Sequence, residues 1–223
     1  MIKLVAFDLD DTLYNEKEFV FGAFKEVAKH LSIKYNLCSE SLYEDMVAVL
    51  KKYGRGKIFN IICKKYDIDE DIMALVQIYR NSKPRLNLYK DSIEILDKLK
   101  DKYKLGLITD GLASVQWNKI RSLNIEDNFD KIIVTDDLGK KYWKPNTLAF
   151  NIMKDSFKLS SKECIYIGDN PNKDFIGAKA AGYNTIRIIR KYGDYVHLRL
   201  DEEYEADYEV KSLKDIIPII EKI

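Results

Sequence analysis

The chain has 223 residues, 46% hydrophobic and 33% charged, which is long enough for one full α/β core plus a smaller accessory unit. Its 37 Lys and Arg against 36 Asp and Glu leave a net charge of +1, so nothing in the balance recommends electrostatic binding to nucleic acid or to an acidic membrane surface. No run approaches about 18 consecutive apolar residues, which excludes a helical membrane span.

The first predicted element is a strand over Leu4 to Phe7, an apolar run that ends abruptly in Asp8, Asp10, Asp11 and Thr12. Its uninterrupted hydrophobicity is that of a parallel-sheet strand covered on both faces, whose interior would not accept those carboxylates unpaired. Because this strand follows Met1 at once, no signal or transit segment is expected and a cytoplasmic location is the default. Helical spacing then takes over: Val20, Phe24, Val27 and Leu31; Leu42, Met46, Val49 and Tyr53; Ile58, Ile62 and Tyr66; Ile72, Leu75, Val76 and Tyr79. Four amphipathic helices are predicted, with Ser39 capping the second, Gly54 and Gly56 flanking Arg55 in a turn, and Pro84 closing the block.

From Tyr89 helix and strand alternate. Ile93, Leu96, Leu99 and Tyr103 mark a helix, and Leu105 to Thr109 a buried strand ending in Thr109, Asp110 and Gly111. Leu112, Val115, Ile120 and Leu123 mark another helix, and Lys131 to Thr135 the third strand. Pro145 suits the first position of a helix carrying Leu148, Ile152, Met153 and Phe157 inward. Glu163 to Gly168 is a fourth strand, followed by Asp169 to Asp174 and a helix stopped by Gly182. Asn184 to Ile189 is the fifth. The stretch from Tyr192 to Tyr208 shows no clear period, and Ile216 to Ile220 with Pro218 forms a last irregular helix.

This alternation predicts an α/β fold: a doubly wound, Rossmann-like parallel-sheet core over 1–14 and 84–223, with an α-helical unit over 15–83 inserted after the first strand. Cys38, Cys63 and Cys164 lack the paired spacing of a zinc site and read as reduced thiols, Cys63 and Cys164 placed by packing. His30 and His197 accompany no nucleophile pattern and receive no catalytic role.

Ligands of open parallel sheets bind at the carboxyl ends of the strands, so residues far apart in sequence should converge there. Strand one offers Asp8 and Asp10, strand two Thr109, and strand four Asp169 and Asp174, while Lys144 precedes the Pro145 helix. Acids for a hard cation, a hydroxyl donor and one ammonium are the components of phosphoryl chemistry.

Asp8-Leu-Asp-Asp-Thr12, Thr109, Lys144 and Gly168-Asp-Asn-Pro-Asn-Lys-Asp174 resemble the four ordered motifs of the haloacid dehalogenase-like superfamily, over nearly the whole core. The helical block after motif one resembles that superfamily's inserted cap. The resemblance implies Asp8 as nucleophile forming an aspartyl-phosphate, and Asp10 as acid and base. It implies Mg²⁺ held by Asp8, the Asp10 carbonyl and Asp169, with Lys144 neutralising charge. Thr109, the amide of Asp110, and Gly111 would hold a phosphoryl oxygen, Asp174 would orient Lys144 or metal-bound water, Thr12 would brace the first loop, and Asn170 would support the site from behind. Asp11 is assigned a turn or loop-capping part.

Asp10 favours an ester substrate over a halide, and the implied activity is Mg²⁺-dependent hydrolysis of a small phosphomonoester such as a sugar phosphate or nucleotide. A phosphomutase could use the same core residues. A non-catalytic phosphate-binding module of the response-regulator kind would have no use for a cap. Arg55 and Lys57 are candidates for gripping the leaving group, with a solvated surface as the competing reading. The chain is expected to act as a monomer or homodimer on a small phosphorylated metabolite, without nucleic-acid or membrane partners.

Overall fold

The computed structural model describes residues 1–223. Two compact units are formed, one by Met1–Glu16 with Asn87–Ile223 and the other by Lys17–Leu86. No helix is long and apolar enough to cross a membrane.

The first unit is built on a six-stranded, wholly parallel sheet: β1 (Leu4–Phe7), β2 (Lys104–Thr109), β3 (Lys131–Val134), β4 (Cys164–Gly168), β5 (Asn184–Ile188) and β6 (Tyr208–Val210). The spatial order is β3-β2-β1-β4-β5-β6. Central β1 pairs with β2 through Leu4↔Lys104 and with β4 through Leu4↔Cys164, so the two halves of the sheet diverge on either side of it. That divergence is the switch point at which open parallel sheets form their crevices. Leu4 and Ala6 share one face with Ile108, Ile133, Cys164 and Tyr166, and helices supply Ala149, Phe150, Met153 and Ala178 to the same core. Strand alternation turns Val5 and Phe7, both fully buried, to the opposite face.

The second unit is all helical: α1 (Glu16–Tyr35, whose first residue belongs to the sheet unit), α2 (Ser39–Tyr53), α3 (Ile58–Tyr66) and α4 (Ile72–Asn81). Val27, Leu31, Leu42, Met46, Ile62 and Leu75 fill its core. Tyr79 gathers Phe19, Phe24 and Phe59 at ring-centroid distances of 5.7, 5.9 and 6.1 Å, edge and tilted arrangements that aromatic quadrupoles favour. Gly54 and Gly56 flank Arg55 with φ of 71° and 119°, the left-handed range that glycine enters without a Cβ clash.

The remaining helices are α5 (Lys90–Leu99), α6 (Ala113–Leu123), α7 (Thr135–Leu138), α8 (Leu148–Ser156), α9 (Asp174–Ala180) and α10 (Ile216–Lys222). Several sequence expectations are corrected here. Pro145 does not open a helix: α8 starts at Leu148, whose N–H donates to Asn146 Oδ1 at 2.9 Å, and Pro145 lies in the preceding turn. Ser39 is not a cap, since Cys38 occupies that position and no side chain bonds the helix end. Ile93 is 55% exposed, because the buried face of α5 runs through Ser92, Ile95, Leu96 and Leu99 instead. Thr135 leaves the third strand to begin α7, and Glu163 belongs to a short 3₁₀ turn before β4. The aperiodic tail ends in a strand that was not anticipated: β6 pairs Tyr208 with Ile186 and Val210 with Ile188. Three residues are too few to display a strand period.

Candidate active site

The carboxyl end of β1 continues into the site without a break, because the Asp8 N–H still donates to Ile167 O of β4 at 2.8 Å. Asp8 is thereby held by sheet hydrogen bonds while its side chain emerges beside the loop after β4. Carboxylate oxygens of Asp8, Asp169 and Asp174 all lie within 4.8 Å of one another, and all three residues are buried.

Lys144 closes this cluster. Its fully buried ammonium donates to Asp8 Oδ1 at 2.6 Å, Asp174 Oδ1 at 2.7 Å and the Tyr166 hydroxyl oxygen at 2.8 Å. Burial works against that charge, but Asp174 and Asp8 outweigh it and hold the ammonium well above its ordinary value. Asp8 is pushed up to about 7, chiefly by burial, with Lys144 pulling it down and Asp174 adding repulsion. Burial, Asp174 and Asp8 likewise drive Asp169 well above the carboxylate range, against Lys173.

The loop after β4 is organised by its own side chains. Asp174 Oδ2 accepts from the Asn170 N–H at 2.9 Å, and Asn170 Oδ1 accepts from the amide and side chain of Asn172, each at 3.0 Å. Asp174 is therefore occupied on one oxygen by Lys144 and on the other by backbone. Gly168 leaves room for this: a Cβ there would stand 2.5 Å from Asp174 Oδ2.

At the end of β2, the buried Thr109 hydroxyl accepts from Gln116 Nε2 at 2.5 Å, so its own proton is left for another acceptor. Gly111 takes φ 134° where the chain turns toward α6. The Asp110 carboxylate accepts from Thr135 Oγ1 at 2.6 Å and from the Lys144 N–H at 3.1 Å, tying together the ends of β2 and β3 and the Lys144 turn. Burial opposes its ionisation, yet Lys144, Lys173 and the Thr135 bond keep it below the usual range. Lys173 Nζ stands 3.4 Å from Asp110 Oδ2.

Asp10 faces a different set of donors. Its carboxylate accepts from Tyr14 Oη at 2.6 Å, Gln116 Nε2 at 3.0 Å and Lys119 Nζ at 2.8 Å on each oxygen. Asp11 adopts φ 51°, and its carboxylate accepts from the Glu16 and Asp194 amides at 3.0 and 3.1 Å, a local structural part. The Thr12 carbonyl accepts from Arg190 Nε at 3.1 Å and Nη2 at 2.7 Å, while the Thr12 hydroxyl is buried without a partner. The loop is thus braced through backbone.

The structure brings Asp8, Asp10, Thr109, Asp110, Gly111, Lys144, Asp169, Asn170 and Asp174 to one edge of the sheet. Arg55 and Lys57 belong to the helical unit, where Arg55 lines a cavity of about 310 Å³ with Arg80, Asn60, Phe24 and Tyr79. Sequence reasoning gave no role to Tyr14, Gln116, Lys119, Tyr166, Lys173 or Arg190. A signal existed for two of them: Gln116 and Lys119 share the buried face of α6 with Ile120 and Leu123, and polar residues at inward helical positions need partners.

A family model described as haloacid dehalogenase-like hydrolase matches residues 5–188. The glyceraldehyde 3-phosphate phosphatase of Methanocaldococcus jannaschii is 34% identical, over 100% of this chain and 99% of its own. The protein of the same name from Methanopyrus kandleri is 30% identical over 100% and 99%. Among solved structures, a HAD phosphatase from Thermococcus onnurineus superposes with a TM-score of 0.65 at 26% identity, covering 98% of each chain. The magnesium-bound YfnB of Bacillus subtilis shares the fold, with a TM-score of 0.70 at 19% identity over 98% of each chain. Sheet order, motif positions and these similarities agree that the chain is an enzyme of the haloacid dehalogenase-like hydrolase family.

Proposed function

We propose that this enzyme is a Mg²⁺-dependent phosphatase that hydrolyses a small phosphomonoester through an aspartyl-phosphate on Asp8. One observation carries the reading: Asp8 is buried, fixed by backbone at the end of the central strand and bonded by a buried ammonium, beside two further carboxylates. A carboxylate so held is preorganised for in-line attack on phosphorus.

The donor set fits a magnesium ion. Four buried carboxylates, Asp8, Asp110, Asp169 and Asp174, face the two ammonium groups of Lys144 and Lys173, and Asp174 and Asp110 are already taken up by hydrogen bonds. Asp8, Asp169 and the Asp10 carbonyl are then the groups that would hold the ion, all hard oxygen donors. Bound there, Mg²⁺ supplies positive charge where a carboxylate must approach a phosphate dianion.

The chain's own residues do the rest. Thr109 turns its hydroxyl proton toward the phosphoryl oxygens while Gln116 holds its oxygen. Asp10 protonates the leaving alkoxide and later takes a proton from water. Tyr14, Gln116 and Lys119 fix its side chain for that exchange. The inserted helical unit Lys17–Leu86 is assigned the part of a cap, and Arg55, which lines the cavity of that unit, is its candidate for selecting the substrate.

Full-length similarity to proteins named glyceraldehyde 3-phosphate phosphatase favours a short sugar phosphate as substrate. The test is phosphate release from a panel containing glyceraldehyde 3-phosphate, hexose phosphates and nucleotides, with and without Mg²⁺, for the wild type and Asp8→Asn. Turnover by the wild type that needs Mg²⁺ and falls to background in Asp8→Asn supports the reading. Equal release by both proteins, or none from any substrate, overturns it.

A further inference from the structure

A phenol completes the surroundings of the Asp8–Lys144 pair. Tyr166 belongs to β4, yet its hydroxyl comes within 3.3 Å of the Ile108 carbonyl oxygen on β2, with β1 running between the two strands. The sheet register explains the reach. Gly106, Ala6 and Tyr166 form one row across β2, β1 and β4, so the ring extends over the central strand where its row offers only a methyl group and a hydrogen. A Cβ at Gly106 would stand 3.4 Å from the Ala6 Cβ and 2.7 Å from Met153 Sδ, which leaves no room for anything larger there. Phe150 meets the Tyr166 ring edge-on, with centroids 5.0 Å apart and planes at 89°, and Tyr166 is fully buried.

This packing fixes where the hydroxyl stands. Its oxygen accepts from Lys144 Nζ at 2.8 Å, and its proton faces two acceptors at 3.3 Å, Ile108 O and Asp174 Oδ1. Burial and Asp174 hold the phenol well above its ordinary value against Lys144, so it stays a neutral group that accepts and donates at once. The ammonium's other side-chain partners are the carboxylates of Asp8 at 2.6 Å and Asp174 at 2.7 Å. A lysine ammonium is a point charge on a flexible stem. Attraction to two carboxylates keeps it near them, and a third bond from a rigid ring fixes its place. Lys144 is thereby held from β1, β4 and α9 together.

We infer that Tyr166 is a positioning residue for the reaction, whose hydroxyl sets the Lys144 ammonium against Asp8 and ties it to the peptide that precedes Thr109. This rests on the phosphatase reading above. Tyr166 acts through Lys144 and moves no proton.

The test compares two variants of the full chain in the presence of Mg²⁺. Tyr166→Phe keeps the ring and removes the hydroxyl, whereas Phe150→Leu loosens the packing of the same ring and keeps the hydroxyl. Both lower the melting temperature, one through a buried N–H left without an acceptor and the other through a cavity, so kinetics must separate them. In Tyr166→Phe two carboxylates still hold the ammonium, its charge stays in the site, and KM moves by less than about threefold. The lost alignment is felt in the transition state, and kcat falls by roughly tenfold. Phe150→Leu keeps kcat within about threefold of the wild type. If Tyr166→Phe does not fold, Tyr166→Met, whose flexible side chain fills the space without a hydroxyl, carries the same prediction. An unchanged kcat without the hydroxyl overturns the inference, as does a rise in KM with normal kcat, or a Phe150→Leu loss of kcat as large as that of Tyr166→Phe. A wild type that hydrolyses phosphomonoesters beside an unaffected Tyr166→Phe sinks this inference alone, whereas a wild type with no turnover sinks both readings.

Discussion

The Lys119 ammonium stands 2.8 Å from each carboxylate oxygen of Asp10, a pair formed by residues 109 positions apart. Lys119 keeps only 4% of its side-chain surface exposed, against 21% for Asp10, so the lysine is committed to this contact and to Glu16 at 3.3 Å. Lys119→Met frees the carboxylate while Tyr14 and Gln116 still hold it partly. The expected result is a fall in kcat of about tenfold to a hundredfold with KM little changed, since the groups proposed to hold the phosphoryl oxygens are untouched. Lys119→Arg restores part of the loss. Steady-state kinetics on the same phosphomonoester decide it, and a KM increase with normal kcat would contradict the role given to Asp10.

Gly177 on α9 lies against the Pro145 carbonyl, and a Cβ at that position would fall inside contact distance of that backbone oxygen. Backbone cannot yield as a flexible side chain can. Gly177→Ala should therefore push the Lys144 turn away from the helix that carries Asp174, costing about 1–3 kcal/mol or more. Both melting temperature and kcat should drop, and a variant of normal stability and activity would show that the turn is free to move.

Carboxyl burial sets the direction of the pH response of the metal-free protein. Asp8 is pushed up to about 7 and Asp11 up to about 6, both chiefly by desolvation, from an ordinary 3.8. Between about pH 4 and 7 the folded state thus keeps protons that the unfolded chain has released, so stability falls as pH rises through that window. Above about 7 the contributions of Asp8 and Asp11 are complete, while Asp169, held well above the carboxylate range by burial, extends the fall. Mg²⁺ prefers ionised carboxylates and should offset the fall, so the gap in melting temperature between Mg²⁺ and EDTA should widen from pH 5 to 8. A gap that stays constant would argue against the proposed ligands.

Arg190 and Thr12 make a contrasting pair. Arg190 binds the Thr12 carbonyl twice, reaches both Asp91 oxygens at 2.9 and 2.7 Å, and lies 4.1 Å from the Tyr89 ring centre. Arg190→Met leaves Asp91 uncompensated and should destabilise by about 3 kcal/mol. Thr12→Val removes a buried hydroxyl that has no partner and should be neutral or stabilise by about 1 kcal/mol. Chemical denaturation of the two variants separates bracing through backbone from bracing through the hydroxyl.

Strong periodicity made most of the architecture legible in the sequence. Leu4 to Phe7 reads as a buried strand and is one, and the apolar spacings of the four inserted helices are matched by α1 to α4. What escaped was determined by partners distant in sequence. Pro145 suits a helix start by local rules, but Thr147 is the cap position, the Leu148 N–H finds Asn146 Oδ1, and Asp110 claims the Lys144 amide. β6 exists because Ile186 to Ile188 offer an open edge and Asp207 bonds Thr185 at 2.8 Å. Within the site, the residues that follow strands were readable because sheet topology gathers strand ends. Tyr166 was hidden because an aromatic residue inside a strand looks like core, and only the fold shows its hydroxyl meeting Lys144.

Where the chain leaves the sheet unit and where it returns are fastened to each other. Tyr14 forms an antiparallel bridge with Leu88, and the Tyr89 N–H donates to Leu13 O at 3.0 Å. The helical excursion is thus a closed loop hung from a clasp, and closing such a loop costs only about 0.6 kcal/mol more for each doubling of its length. With the clasp set on the sheet side, Leu13 and Tyr14 are tied to Leu88 and Tyr89 without any residue of the helical unit taking part. The excursion can therefore be lengthened or shortened at little closure cost while the fastening beneath it stays the same.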